Sequence, residues 1–191
     1  AIPVLSRLEN EADVSQNKTY AQSNLMKLYY NKKDYPNSGI YAEKVLMNPK
    51  ADDNVKSDAQ IIIARAAIET GDEAKAKVAY AKVLAIAKGE LAAEALYYDA
   101  YFKNKEGKFE ASNAAVQKIA KNYSSYKYFG AKGLILMAKN FYGLKDSYQA
   151  TYILENVIQN FTDYPDVVSE AKTELNAIKT EEAKTNSSIT K

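Results

Sequence analysis

The stretch Gly71-Asp72-Glu73-Ala74-Lys75-Ala76, followed by Tyr80 and Val83, carries the pattern that organises the whole chain. A glycine and an acid make a tight polar turn. A small residue then stands four positions before one bulky side chain and seven before another. Spacings of four and seven place all three on one face of an α-helix. The arrangement returns 36 residues later as Gly107-Lys108-Phe109-Glu110-Ala111-Ser112, with Val116 and Ile119 behind it. Two further copies flank these, Ser38 with Ala42 and Val45, and Ala150 with Leu154 and Val157, so the anchors lie 38, 36 and 38 residues apart. Twelve positions before each anchor stand Met26, Ala64, Ala100 and Ala138. A small anchor lets a second helix approach closely. Each unit therefore reads as helix A, tight turn, helix B, with Gly71 and Gly107 ending helix A in two of them.

The spacing predicts helix A segments near 20–32, 55–70, 90–105 and 126–143, within nine or ten helices and no sheet. Gly 7 and Pro 4 among 191 residues agree with a chain dominated by helices. Internal repeats of 20–50 residues signal solenoids and arrays. Four repeats are expected over 19–162, and a C-terminal capping helix over 164–180 with Val168, Ala171, Leu175 and Ile178 as its apolar stripe. A polar tail is expected over 181–191. Ala1, Leu5 and Leu8 repeat the anchor pattern 37 residues before Ser38. Residues 1–12 thus read as a half repeat with helix B alone, as in a fragment of a longer array.

These residues resemble the tetratricopeptide repeat, most closely in the two Gly-initiated segments above and in Asn48-Pro49, which stands near the family's closing proline. The leading tryptophan and the Leu-Gly pair of that family are missing. Asp99 and Lys103 stand where it places apolar residues. The elongated period looks like that of tetratricopeptide proteins of the bacterial cell envelope, as in Bacteroidetes. The resemblance implies a right-handed α-α superhelix and a non-catalytic scaffold that takes a peptide or protein segment in a concave groove. It points to the periplasm or envelope, although the composition suits the cytoplasm equally well.

Composition narrows the chemistry. The chain has no His, Cys or Trp. It therefore lacks an imidazole base, a thiolate nucleophile and the usual zinc ligands. The adjacent carboxylates Asp52-Asp53, Asp72-Glu73 and Glu181-Glu182 fall at helix starts or in the tail, where caps are expected. The reading is of no enzyme, no cofactor and no metal.

Tyrosine is abundant, at 16 of 21 aromatics. Tyr29, Tyr41, Tyr80, Tyr148 and Tyr152 lie at or beside expected core positions. In the family the opposite face of helix A lines the groove, which puts Tyr20, Asn24, Lys27, Tyr30, Asn31, Arg65, Tyr97, Tyr101, Lys105, Lys132, Lys139 and Tyr142 there as candidate partner-binding residues. Tyr and Arg suit hot spots because they combine contact area with a polar handle. Tyr97, Tyr98 and Tyr101 could equally pack against the next helix A. Asn24 and Asn31 match the family's carboxylate clamp only loosely, so that specificity is not assigned. Between residues 100 and 145 nine lysines face two glutamates, a local net of +7 in a chain of net +2. That block, with its tyrosines, supports an alternative, a nucleic-acid-binding surface over 97–145. The near-neutral total argues against it. No segment approaches the roughly 20 apolar residues of a membrane span.

Overall fold

The computed structural model describes residues 1–189. Among them the chain forms ten helices and no strand: α1 (Ile2–Glu11), α2 (Ser15–Asn31), α3 (Tyr35–Met47), α4 (Asp53–Glu69), α5 (Glu73–Ile86), α6 (Gly89–Lys105), α7 (Phe109–Asn122), α8 (Lys127–Gly143), α9 (Ser147–Asn160) and α10 (Pro165–Ile189). They fall into two compact units, Ala1–Ala87 and the residues from Lys88 onward. Within each unit consecutive helices pack in order, and alternate helices also touch: α2 with α4, α6 with α8, α8 with α10. Each unit is a stretch of helical-repeat solenoid.

The four turns are built alike. Lys33, Gly71, Gly107 and Lys145 have φ of 61°, 74°, 71° and 69°. The N–H of the residue after each donates to the carbonyl five positions back, at Tyr29, Ala67, Lys103 and Phe141, each at 2.9 Å. That is the bond of a Schellman C-cap, which satisfies a helix-end carbonyl. At Asp34, Asp72 and Asp146 the carboxylate then accepts the backbone N–H of Asn37, Lys75 and Gln149, capping the next helix. One or two residues thus close helix A and open helix B.

The anchors pack as their spacing requires. Ser38, Ala76, Ser112 and Ala150 are fully buried, as are Met26, Ala64, Ala100 and Ala138. Where the anchor is serine, its hydroxyl donates to the carbonyl twelve positions back: Ser38 to Met26 at 3.0 Å and Ser112 to Ala100 at 2.8 Å. A buried hydroxyl left without an acceptor would cost about 1–3 kcal/mol. The polar pair in the third repeat is accounted for locally, because Lys103 Nζ bonds Asp99 Oδ2 at 2.6 Å.

Several expectations need correction. Tyr80 is buried and Tyr29 stacks on Tyr41 with ring centres 5.6 Å apart. Tyr148 and Tyr152, however, are 77% and 56% exposed, because they lie on the outer face of α9, away from Ala150 and Leu154. In α10 the buried stripe is Val167, Ala171, Leu175 and Ile178, with Val167 rather than Val168 facing the core. The helix does not stop near residue 180. It runs to Ile189, with the good helix formers Glu181, Glu182, Ala183 and Lys184 carrying it past residue 180, and the hydroxyls of Thr180 and Thr185 bond back to the carbonyls of Asn176 and Glu181. Residues 190–191 of the expected tail lie outside the described residues. At the other end α1 packs on α2, and the buried Glu9 accepts from Lys44 at 2.7 Å and Gln22 at 3.2 Å.

The two units match more closely than the single repeats do. The helices α6, α8 and α9 begin 74 residues after α2, α4 and α5 respectively (Gly89 against Ser15, Lys127 against Asp53, Ser147 against Glu73) and have the same lengths. Residue pairs swap in concert. Tyr35, whose hydroxyl donates to Glu69 at 3.3 Å, corresponds to Phe109, which lies on Gly143 so closely that a Cβ there would meet the ring at 2.6 Å. Ala42 and Ala59 correspond to Val116 and Gly133, and the valine methyl fills the space above the glycine, 3.0 Å from where its Cβ would stand.

Candidate partner-binding site

The structure separates the predicted face into engaged and open residues. In the second unit Tyr97 and Tyr101 pack on the core of Ala100, Ala115, Val116 and Leu136. Tyr97 also contacts the rings of Tyr98 and Phe129, at 5.1 and 6.3 Å between centres. Burial, reinforced by the nearby Glu170 carboxylate, pushes its phenol pKa well above the usual value. Lys105 sits over the Tyr101 ring at 5.7 Å. Lys132 pairs with Glu170 while lying over Tyr97. Lys139 pairs with Glu174 at 2.8 Å. Tyr142 packs on the core beneath α9 and α10, where desolvation and the nearby Glu182 and Glu181 carboxylates raise its phenol pKa. Tyr128 donates to Asp166 at 2.9 Å, and its phenol is pushed up to about 12 by burial and by that carboxylate. Helix α10 thus supplies the counter-charges for α8, which no count limited to residues 100–145 could include.

In the first unit Lys27 pairs with Asp58 at 2.6 Å. Tyr30 packs edge-on to Tyr35, centres 5.7 Å apart, and Arg65 is half-buried on α4. Asn31 is exposed at the end of α2. Tyr20 and Asn24 are brought together with residues the sequence did not mark as partner-binding. They border a cleft of about 590 Å³ between α2 and the start of α4. Val14, Tyr20 and Val55 supply its apolar lining, Ser15, Gln16, Thr19, Ser23 and Asn24 its hydroxyls and amides, and Lys50 and Asp52 its charges. Val14 and Tyr20 are 56% and 60% exposed, large apolar side chains left at the surface beside the opening. Asn24 is held by its amide donating to the Tyr20 carbonyl at 2.8 Å, and Asp52 by accepting the Val55 N–H at 2.9 Å. Asn48 donates to Thr19 Oγ1 at 2.9 Å, tying the α3–α4 loop to α2. Asp52 is the helix cap expected from the sequence, whereas Lys50 carries no repeat signal, and only the three-dimensional arrangement brings both to the cleft.

The second unit has an apolar groove of its own, about 410 Å³, where Val116, Leu134, Met137 and Phe161 meet Ala120 and Gly130. The first unit has Leu46 and Lys56 in place of the last two.

The groups with shifted pKa values lie away from the cleft lining. The shifted tyrosines, including Tyr35 and Tyr41, all move upward, which makes a phenol harder to ionise, and Asp166 moves downward through its bond to Tyr128. Among the described residues no cluster of three carboxylates could hold a metal ion, and no helix is long and apolar enough to cross a membrane. No known family model matches the chain, and no curated protein matches it in sequence.

Proposed function

We propose that the chain is a tetratricopeptide-like, non-catalytic scaffold that binds a peptide or protein segment, and that the segment docks at the α2–α4 cleft of the first unit. One observation carries the reading. Of the twelve residues predicted to line a groove, Tyr20 and Asn24 border a ligand-sized opening, whereas the predicted lysines and tyrosines of the second unit are packed or ion-paired within the chain. The cleft's volume falls within the roughly 300–1,000 Å³ usual for small binding sites, and its lining pairs three apolar side chains with hydroxyls, amides and two charges. The Asp52 cap on α4 and the Asn48–Thr19 bond hold the two sides of the cleft in place.

The alternative of a nucleic-acid surface over 97–145 draws on the same Lys132, Lys139, Tyr97 and Tyr101, which α10 and the core already occupy. The elongated repeat supports placing the scaffold in a bacterial envelope protein, which fractionation of the native host would check. Selection of binding peptides on the full chain tests the function, with the bound peptide mapped by amide chemical shifts. The expected result is perturbation of residues 14–24 and 50–55, with modest salt dependence. Binding of an oligonucleotide that weakens steeply as salt is raised would favour the alternative.

A further inference from the structure

The 74-residue correspondence identifies what the first unit's cleft is shaped to receive. Every position on its lining has a counterpart in the second unit. Ser23 and Asn24 correspond to Tyr97 and Tyr98, Val55 to Phe129, and Asp52 to Tyr126. There aromatic rings stand at those four positions, and the buried Glu94 stands in place of Tyr20. Tyr97 lies against Tyr98 and Phe129, and Tyr126 reaches Gly89, the counterpart of Ser15, so closely that its hydroxyl would be 2.9 Å from a Cβ on that glycine. The same backbone in the first unit carries side chains too small or too polar to do this, and the space stays open. What the second unit supplies internally, the first can take from outside.

We infer that the α2–α4 cleft is a receptor for a tyrosine side chain presented by a partner segment, an assignment that rests on the scaffold reading above and specifies the residue it recognises. Aromatic rings suit the vacancy because Tyr20 and Val55 offer apolar faces, and Tyr20 can take a second ring in an offset or edge arrangement. Tyrosine suits it better than phenylalanine. The lining also carries Ser23, the Asn24 amide oxygen, Lys50 and Asp52, and burying such groups against hydrocarbon alone is unfavourable. An aliphatic anchor would satisfy the apolar faces but neither stack nor reach the polar groups.

The test titrates isotope-labelled full chain with N-acetyltyrosinamide and, separately, N-acetylleucinamide. Tyrosinamide is expected to shift amides within 14–24 and 50–55 and to bind roughly two- to tenfold tighter than leucinamide, the range that aromatic pairing supplies. Ser23→Tyr with Val55→Phe, which transplants the second unit's residues, is expected to abolish those shifts. Should that variant fold poorly, the exposed Tyr20→Ala serves instead and is expected to weaken tyrosinamide binding several-fold. Equal or tighter binding of leucinamide, shifts confined to the Val116–Leu134 groove, no shifts, or wild-type binding by Tyr20→Ala would each overturn the inference. The two readings fail separately. Selected peptides that occupy the cleft without an aromatic residue refute the tyrosine receptor and leave the scaffold. Tyrosinamide binding without any peptide binder refutes the scaffold, and with it the partner segment, and leaves only a cleft that takes a tyrosine ring.

Discussion

The two units share a backbone plan and differ in how they spend their side chains. The second is the more aromatic where α6 meets α8, with Tyr97 against Tyr98 and Phe129, and Tyr126 against Gly89. The first has Ser23, Asn24, Asp52 and Val55 at those places and an opening instead. The difference extends to charge: Lys27 and Asp58 bridge α2 and α4, and their counterparts are Tyr101 and Lys132. The second unit also buries Asn140, which donates to Ser112 Oγ and Asn113 Oδ1 and accepts from Asn104, where the first has Ala66. Helical repeats are held by intrinsic stability plus nearest-neighbour interfaces. One such interface can therefore be left incomplete without unfolding the rest, which is how a scaffold can keep a receptive site.

The comparison is broken most severely by attacking each unit's core. Tyr80, fully buried at the place Leu154 holds in the second unit, should cost about 3–5 kcal/mol when changed to alanine. Chemical denaturation should show the loss, with hydrogen exchange accelerated first in α4 and α5. Next is Asn140→Ala, which copies Ala66 of the first unit. It leaves the amide of Asn104 and the side chains of Ser112 and Asn113 short of a partner, and should cost about 1–3 kcal/mol. A double-mutant cycle sharpens the correspondence further. Gly133→Ala alone crowds Val116 and Val116→Ala alone opens a void, but together they rebuild the Ala42–Ala59 pair. The two changes should be coupled favourably by about 1 kcal/mol in denaturation midpoints, and simple additivity would refute the paired substitution.

The smallest effect is a pH dependence specific to the second unit. Tyr128 ionises near pH 12 when folded and near 10 when unfolded, so its neutral phenol stabilises the fold fully below about pH 10. That contribution is lost as pH rises toward 12. Asp166 has the opposite sense: its lowered pKa adds stability above the ordinary carboxylate range, lost as pH falls through it. Tyr128→Phe should flatten both limbs of a stability–pH curve, by less than about 1 kcal/mol given the exposure of the pair.

Much of the fold was legible because it is local. The anchor triplets and the turns before them encode helix ends through backbone preference and packing distance, and the turns close even where Lys33 and Lys145 replace glycine. The site was harder to read. Helical angle places Tyr20 and Tyr97 on equivalent faces, three residues apart in register, but whether a ring finds a partner depends on side chains 30 to 40 positions away. Tyr97 meets Phe129 and Lys132, while nothing of that size stands opposite Ser23. Lys132 and Lys139 looked like an open basic surface because their acids, Glu170 and Glu174, belong to a helix that the sequence marks only as a cap.

Hydrogen exchange on the full chain with a selected tyrosine-bearing peptide tests the central claim most directly, because it compares both units in one sample. The account predicts slowed exchange in residues 14–24 and 50–55, with the corresponding 88–98 and 124–129 unchanged. Equal protection of both regions, or protection of the second alone, would contradict it.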